Sequence, residues 1–308
     1  MVECSVVIAT YGRDKVLFDT INSLLKSTQV EFELIVVDQN KKVPQHYESQ
    51  VRLLSAQKNV TWVKSEEPSL TKARNVGCQI ANSDIVIYVD DDVLVDPLYI
   101  ENYAKAFKAH PEVDAVVGPI YDEKGNEASS RKYHDRLSKA IRLPLIAKLP
   151  NGGYTVAGGG GNMGFRRYVL EELNGFNERF IGNAVREESE MFMRLNKAGK
   201  KVWFDPSCGL IHLAHDVGGC SSRAKKSLKA YAQFFYAYYY NHLIFVNSVV
   251  DSKREWLKYV LGTLCLCSYC CNNRILGAVR WCIHALLLLS ALMVIVTDGK
   301  RPYVSNCM

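Results

Sequence analysis

The chain contains no stretch reaching the roughly 20 uninterrupted apolar residues of a clear membrane span. It also lacks a leader pattern. Glu3 stands near the start, and the apolar run from Val6 to Thr10 is too short for the hydrophobic region of a signal peptide. The expectation is a protein made and kept in the cytoplasm. No internal repeat is present, which argues against a repeat array. The main part of the chain has no excess of either charge. Of 38 Lys/Arg and 32 Asp/Glu, ten and three fall in residues 225–308, leaving 28 basic and 29 acidic residues in 1–224. A neutral body gives no support to nucleic-acid binding, whereas a basic end suits an anionic surface.

With 308 residues and 34.7 kDa, the chain suits one large α/β domain with an appendage, or two small domains. A content of 48% hydrophobic and 23% charged residues predicts a folded core and excludes wholesale disorder. Six of the ten cysteines (Cys265, Cys267, Cys270, Cys271, Cys282 and Cys307) sit in the basic end. A large intracellular domain needs no disulfides, so reduced thiols are expected. The C-x-C-x2-C-C spacing at 265–271 lacks the paired C-x2-C loops of a zinc site and is embedded in apolar residues.

Strands and helices alternate over 4–120. Cys4–Thr10 is an apolar run that reads as a buried strand, and Val16, Ile21, Leu24 and Leu25 give 16–26 a helical period. Residues 33–38, 60–63, 85–89 and 114–119 read as further strands. Ser69 can cap a helix running to about Ala81, and Asp96-Pro97 opens another. This order predicts a mainly parallel sheet flanked by helices, with functional residues at the carboxyl ends of its strands. Thr10-Tyr11, Asp38 and Asp90-Asp91-Asp92 all fall at such ends. Residues 121–153 are polar and irregular, with a basic stretch at 131–142, and read as a connection or ordered flap. A glycine-rich segment at 158–164 then leads into a short helix over 167–173. A helix over 186–197 and short strands at 202–204 and 210–213 follow. From about Arg223 the character changes: 231–240 is an aromatic-rich helix, and 256–296 is apolar, basic and helical.

Four constellations carry chemistry. Asp90, Asp91 and Asp92 end a buried strand and repel one another. Either they cap the following structure, or they hold Mg²⁺ or Mn²⁺ bridging to a diphosphate. Glu187, Glu188 and Glu190 occupy the first turn of a helix, where the dipole favours acids, or supply a general base. His212 on a short strand, with His215 after it, is either a packed core residue or a metal ligand. Gly159, Gly161 and Gly164 match G-x-G-x-x-G, but a second helix stands where a dinucleotide site needs its acidic strand end. A tight loop that lets backbone approach substrate fits better.

Taken in order, SVVIATYGR (5–13), ELIVVDQN (33–40), SLTKARNVG (69–77), IVIYVDDDV (85–93), GGGNMGFRR (159–167), LNGFNERF (173–180), REESEMFMRLNKAGKKVWFDP (186–206) and IHL (211–213) resemble the family 2 inverting glycosyltransferases of GT-A fold. The resemblance implies an α/β GT-A catalytic domain over 1–222, with a nucleotide-binding half at 1–120 and an acceptor and base half at 121–222. A helical, basic, apolar tail would occupy 223–308. It implies that Thr10, Tyr11 and Arg13 hold the base and ribose, that Asp38 hydrogen-bonds the base, and that Arg74 lies near base or phosphates. Asp90 and Asp92, with Asp91 between them, correspond to the D-x-D pair. Asp92 is the more direct metal ligand, and His212 completes the metal site. Glu188 corresponds to the general base, with Glu187 or Glu190 as alternatives. The chain departs from the family at Glu188, where Asp is commoner, and at Gln39, often another acid.

The implied activity is metal-dependent, inverting transfer of a sugar from a nucleotide sugar, most simply a UDP-sugar, to a hydroxyl of a saccharide or lipid-linked acceptor. Competing readings are an inactive nucleotide-sugar-binding or scaffold protein, a nucleotidyltransferase and a nucleic-acid binder. The nucleotidyltransferase reading lacks its glycine-rich loop, since ATYGRDK follows the first strand. In the tail, 281–296 is apolar apart from His284, and Lys253, Arg254, Lys258, Arg274 and Arg280 interleave with Trp256, Tyr259, Leu261 and Leu264. This suits a helix lying on the cytoplasmic face of an anionic membrane. Packing against the body, a homodimer, or a single span are the alternatives.

Overall fold

The computed structural model describes residues 2–27, 30–42, 45–127, 149–182, 184–215, 218–219, 227–250, 252–258, 260–261 and 274–297. The basic stretch at 131–142 and the cysteine cluster at 265–271 lie outside the described residues.

The first half of the chain builds a parallel layer. β1 (Cys4–Thr10) pairs in parallel with β2 (Phe32–Asp38) and with β4 (Ile85–Val89), and β2 pairs in parallel with β3 (Val60–Lys64). β1 and β2 are buried along almost their whole length, which is why they read as continuous apolar runs rather than alternating ones. Asp14 starts α1 (Lys15–Leu24), which buries Leu17, Phe18, Ile21 and Leu24 with the side chains of β1 and β2. Each such side chain contributes roughly 1.5–3 kcal/mol, so tertiary burial and not intrinsic propensity fixes this helix. Ser69 caps α3 (Leu70–Ile80) through its hydroxyl and the Lys72 N–H, and Gly77 lets the helix lie directly on Val7 of β1. Between them, α2 (Glu48–Ser55) buries only Leu54.

The second half adds a strand that sequence periodicity does not predict. The glycine-rich segment does not run straight into a helix. It continues as β9 (Asn162–Arg166), antiparallel to β4 on one side and to β6 (Ala115–Val117) on the other. β10 (Val202–Phe204) pairs in parallel with β6, and β8 (Gly153–Thr155) closes the edge. The sheet order is β3-β2-β1-β4-β9-β6-β10-β8. A small second sheet, in the order β5-β11-β7, joins β5 (Val93–Val95), β11 (Leu210–His212) and β7 (Ile120–Tyr121). Helix α4 (Tyr99–Ala109) follows the Asp96-Pro97 turn, which precedes the helix rather than forming its first residues. α5 (Arg167–Glu172) and α6 (Glu187–Lys197) complete the body.

The tail packs onto this body. α7 (Leu228–Val249) and α8 (Arg274–Thr297) lie against each other. Tyr239, Leu243, Phe245 and Val246 of α7 share one buried cluster with Phe180 and Ala184 of the body and Leu288, Ala291 and Ile295 of α8. Asn241 accepts from the Ile181 N–H at 2.9 Å and donates to the Ile181 carbonyl at 2.8 Å, fixing the loop before α6. His284, the polar interruption in the apolar run, turns inward between the Tyr231 and Tyr239 hydroxyls at 2.9 and 2.7 Å. Among the described residues, no helix is long and apolar enough to cross a membrane.

Asn162 is the polar hub of the second half. Its carboxamide oxygen accepts from Tyr99 and Tyr103, and its nitrogen donates to the Pro119 and Cys208 carbonyls, all within 2.6–3.0 Å and buried. Asn162→Ala leaves these four groups unpaired, so it is expected to lower stability by about 3 kcal/mol, read by urea unfolding. A loss below about 1 kcal/mol would show that water replaces the amide.

Candidate active site

Strand register assembles the site. Parallel pairing of Ile8 with Val89 brings Thr10 and Tyr11, just past the end of β1, beside the Asp90-Asp91-Asp92 turn. Antiparallel pairing of Val89 with Asn162 places Gly161 opposite Asp90, whose N–H donates to the Gly161 carbonyl at 3.3 Å. Any side chain at 161 would run into the Asp90 carboxylate, and one at 160 would meet Glu187. The glycine-rich loop thus makes room for the acidic groups. In the small sheet, His212 pairs with Val93, which sets its ring beside Asp92.

Asp90, Asp92 and His212 each offer a ligand atom, all within 4.8 Å of one another. His212 Nε2 stands 3.3 Å from Asp92 Oδ1 and 3.8 Å from Asp90 Oδ2. Asp92 Oδ1 is buried and faces His212 Nε2 at 3.3 Å without a well-aligned hydrogen bond, leaving an acceptor that a hard cation between the two would satisfy. Two carboxylates and an imidazole fit Mg²⁺ or Mn²⁺. Arg13 holds the other side of the turn: its Nε donates to Asp91 Oδ1 and its Nη2 contacts Asp92 Oδ2, both at 2.8 Å. Burial pushes the Asp91 carboxyl up to about 6, with Arg13 pulling down and Asp92 adding to the rise. Burial opposes ionisation of Asp92 too, but His212 and Arg13 hold it below the usual carboxylate range. The Asp92 carboxylate facing it raises His212 above its ordinary value.

Arg74, buried on α3, ties the glycine-rich loop to α6. It donates to the Gly160 carbonyl at 2.7 Å, pairs with Glu187, and lies over the Phe176 ring at 5.2 Å. The three acids of the α6 first turn therefore differ. Glu187 is engaged with Arg74, and burial raises its carboxyl to about 8 against the pull of that guanidinium. Glu190 is held by Arg194 at 2.9 and 3.0 Å. Glu188 is half-buried, lines the cleft and accepts a hydrogen bond from its neighbour Ser189 at 3.0 Å.

These groups open onto one cleft of about 880 Å³, lined among others by Tyr11, Asp90, Asp92, His212, Arg74 and Glu188. Asp38 and Thr10 stand at the ends of β2 and β1 but do not line it. Asp38 is buried and bound by Asn40, Trp62 and Lys64, the last at 2.6 Å. Gln39, which the sequence marks only as a departure from the family, lines the cleft between the Thr10 carbonyl and the Ser69 N–H. Sequence reasoning missed that α7 forms a wall of the cleft through Gln233, Phe234 and Tyr236. The aromatic run at 231–240 was the available signal. Ala184, Arg186 and Ala214, all on the cleft, have left-handed backbones, at φ 46°, 79° and 48°. Such conformations cost of the order of 1–3 kcal/mol each and collect at functional sites.

The chain belongs to glycosyl transferase family 2, whose family model matches residues 5–173. It is 30% identical over 149 residues to chondroitin synthase of Escherichia coli, covering 47% of this chain and 20% of that protein. It is 29% identical over 126 residues to validoxylamine A glucosyltransferase of Streptomyces hygroscopicus subsp. limoneus, covering 38% of this chain and 26% of that one. The chain thus spans about a fifth to a quarter of the length of these curated relatives. The fold is that of GT-A glycosyltransferases. The mannosyltransferase PcManGT of Pyrobaculum calidifontis, solved with GDP-Man and Mn²⁺, superposes with a TM-score of 0.55 at 16% identity over 98% of this chain and 77% of that one. GalNAc-T7, solved with UDP, GalNAc and Mn²⁺, gives 0.61 at 16% identity over 98% and 58%.

The crowded acids make a pH prediction. Asp91 and Glu187 have folded pKa values above their unfolded ones, so the folded chain binds extra protons that it loses as pH rises to about 8. The raised His212 acts in the same direction, since its pairing with Asp92 is lost as it deprotonates. The melting temperature in EDTA is therefore expected to fall from about pH 5.5 to about pH 8, and Mn²⁺ to reduce the fall. A melting temperature that rises over this range would contradict the assignment.

Proposed function

We propose that this chain is an inverting, Mg²⁺- or Mn²⁺-dependent glycosyltransferase. It takes a sugar from a nucleotide sugar, most simply a UDP-sugar, and delivers it to a hydroxyl of a saccharide or lipid-linked saccharide. The observation that carries the reading is that the Asp90, Asp92 and His212 donor set and the Glu188 carboxylate line a single cleft. Its volume of about 880 Å³ suits a substrate of nucleotide-sugar size.

Asp90, Asp92 and His212 would hold the metal, which supplies positive charge for the diphosphate leaving group. Arg74 adds a second, fixed cation 3.8 Å from Asp90. Tyr11 and Gln39 line the end of the cleft where the base would lie, and Asp38 supports that edge through Asn40. Glu187 and Glu190 are engaged by arginines, which favours Glu188 as the base. Its carboxylate would take the proton from the acceptor hydroxyl as the oxygen attacks the face opposite the leaving group. Glu188→Gln is expected to fold, bind UDP with Mn²⁺, and lose transfer by roughly 10²–10⁴-fold. Glu187→Ala should instead destabilise the chain by about 3–5 kcal/mol, because it removes the buried acceptor that pairs with Arg74. Wild-type turnover in Glu188→Gln would remove the base assignment.

The tail fits attachment to an anionic membrane surface at the cytoplasmic face. Leu286, Leu289, Met293 and Val296 follow one face of α8 and are exposed, while Leu288, Ala291 and Ile295 are buried against α7. A membrane-bound enzyme would meet a lipid-linked acceptor at the bilayer. The full chain is expected to sediment with vesicles containing anionic lipid and to be partly released by high salt. The double variant Leu286→Glu, Met293→Glu should bind at least about 5-fold less without a change in melting temperature. Equal sedimentation of the two proteins would exclude this face as the membrane contact.

A further inference from the structure

Arg186 is the residue of the cleft whose cost is offset by no partner among the described residues. It precedes α6 with φ at 79°, a conformation natural to glycine, and the residue is only 6% exposed. The neighbouring arginines are engaged: buried Arg74 with Glu187 and Gly160, and half-buried Arg13 with Asp91 and Asp92 and Arg194 with Glu190 and the Leu173 carbonyl. The Arg186 side chain makes no hydrogen bond or ion pair with any described residue, and its Nε is fully buried and orphaned. A buried guanidinium without an anion is strongly disfavoured, as is a left-handed backbone at a non-glycine residue.

A second orphan adjoins it. His242 of α7 is buried with both ring nitrogens unpartnered. Burial and then the Arg186 charge press its pKa down to about 3, so the ring is neutral and gives Arg186 no counter-charge. Arg186 lines the cleft immediately before Glu187 and Glu188, with Gln233, Phe234 and Tyr236 of α7 in the same lining. The donor side already has its cation in Arg74 and its metal ligands in Asp90, Asp92 and His212. Arg186 therefore belongs to the acceptor. An anionic acceptor drawn toward Glu188 would also be repelled by the carboxylates there, unless a cation beside them compensates.

We propose that Arg186 binds an oxyanion of the acceptor, so that the acceptor carries a phosphate or carboxylate close to the hydroxyl that is glycosylated. This rests on the glycosyl-transfer reading above. A guanidinium fork suits either oxyanion, and the aromatic wall of α7 suits the apolar or sugar body attached to it.

The test uses the full chain and Arg186→Gly, a substitution the backbone favours. Each is titrated calorimetrically with dimethylallyl phosphate and its alcohol, and with glucuronate and glucose, both alone and with saturating UDP and Mn²⁺. At least one anion is expected to bind the wild type about 10-fold or more tighter than its neutral counterpart. The phosphate arm indicates a lipid phosphate, and the glucuronate arm an acidic sugar. Arg186→Gly should abolish that preference, leave UDP–Mn²⁺ affinity unchanged and raise the melting temperature by about 2 °C. Undiminished anion preference in Arg186→Gly, a lowered melting temperature, or no anion preference in the wild type would each overturn the proposal. Absence of UDP–Mn²⁺ binding by the wild type would count against the transfer reading instead, and the titrations without nucleotide report on Arg186 separately.

Discussion

Like charge held at close quarters is the constraint on which the site depends. Asp90, Asp91, Asp92, Glu187 and Glu188 all line one cleft. Two unit charges about 4 Å apart in protein surroundings repel by about 4 kcal/mol, more than most single contacts return. The fold meets this with two buried guanidiniums. Arg13 binds Asp91 and Asp92, and Arg74 binds Glu187 and reaches toward Asp90. Each pair joins elements far apart in the chain, so the sheet, the glycine-rich loop and α6 are locked together by the groups that prepare the chemistry. Asp92 Oδ1, buried and facing His212 without a well-aligned hydrogen bond, is where the proposed cation would add the compensation that the protein's own groups leave incomplete.

Much of this was legible in the sequence, for a physical reason. Buried parallel strands such as β1 and β2 must be apolar throughout, and Ser69 has a capping chemistry that local sequence displays. The order of motifs carried the family. What stayed hidden depended on non-local pairing. β9 has the sequence NMGFR, whose glycine suggests a loop, and only its antiparallel partners β4 and β6 make it a strand. α2 buries a single leucine and so carries little apolar period. Residue type alone does not separate Glu187, Glu188 and Glu190; the family resemblance singles out Glu188, but the physical ground for it, Arg74 and Arg194 engaging the other two, comes from elsewhere in the fold or from a later turn.

The tail changed most between sequence and structure. Its apolar and aromatic content reads as surface attachment, yet α7 is also a wall of the cleft and, through Asn241, a clamp on the loop that leads to Arg186 and Glu188. One helix face is spent on the body, and the outer face of α8 remains apolar and exposed. The apolar face of α8, the aromatic cleft wall of α7 and Arg186, which has no partner among the described residues, are together what the proposed amphiphilic, anionic acceptor would use.

The account stands on the Asp90, Asp92 and His212 set binding a divalent cation that in turn holds a nucleoside diphosphate. Calorimetric titration of the full chain with UDP, GDP and dTDP, each in Mn²⁺ and in EDTA, tests this directly. At least one nucleotide should bind about 10-fold or more tightly with the metal. Equal affinity in Mn²⁺ and EDTA for every nucleotide would contradict it.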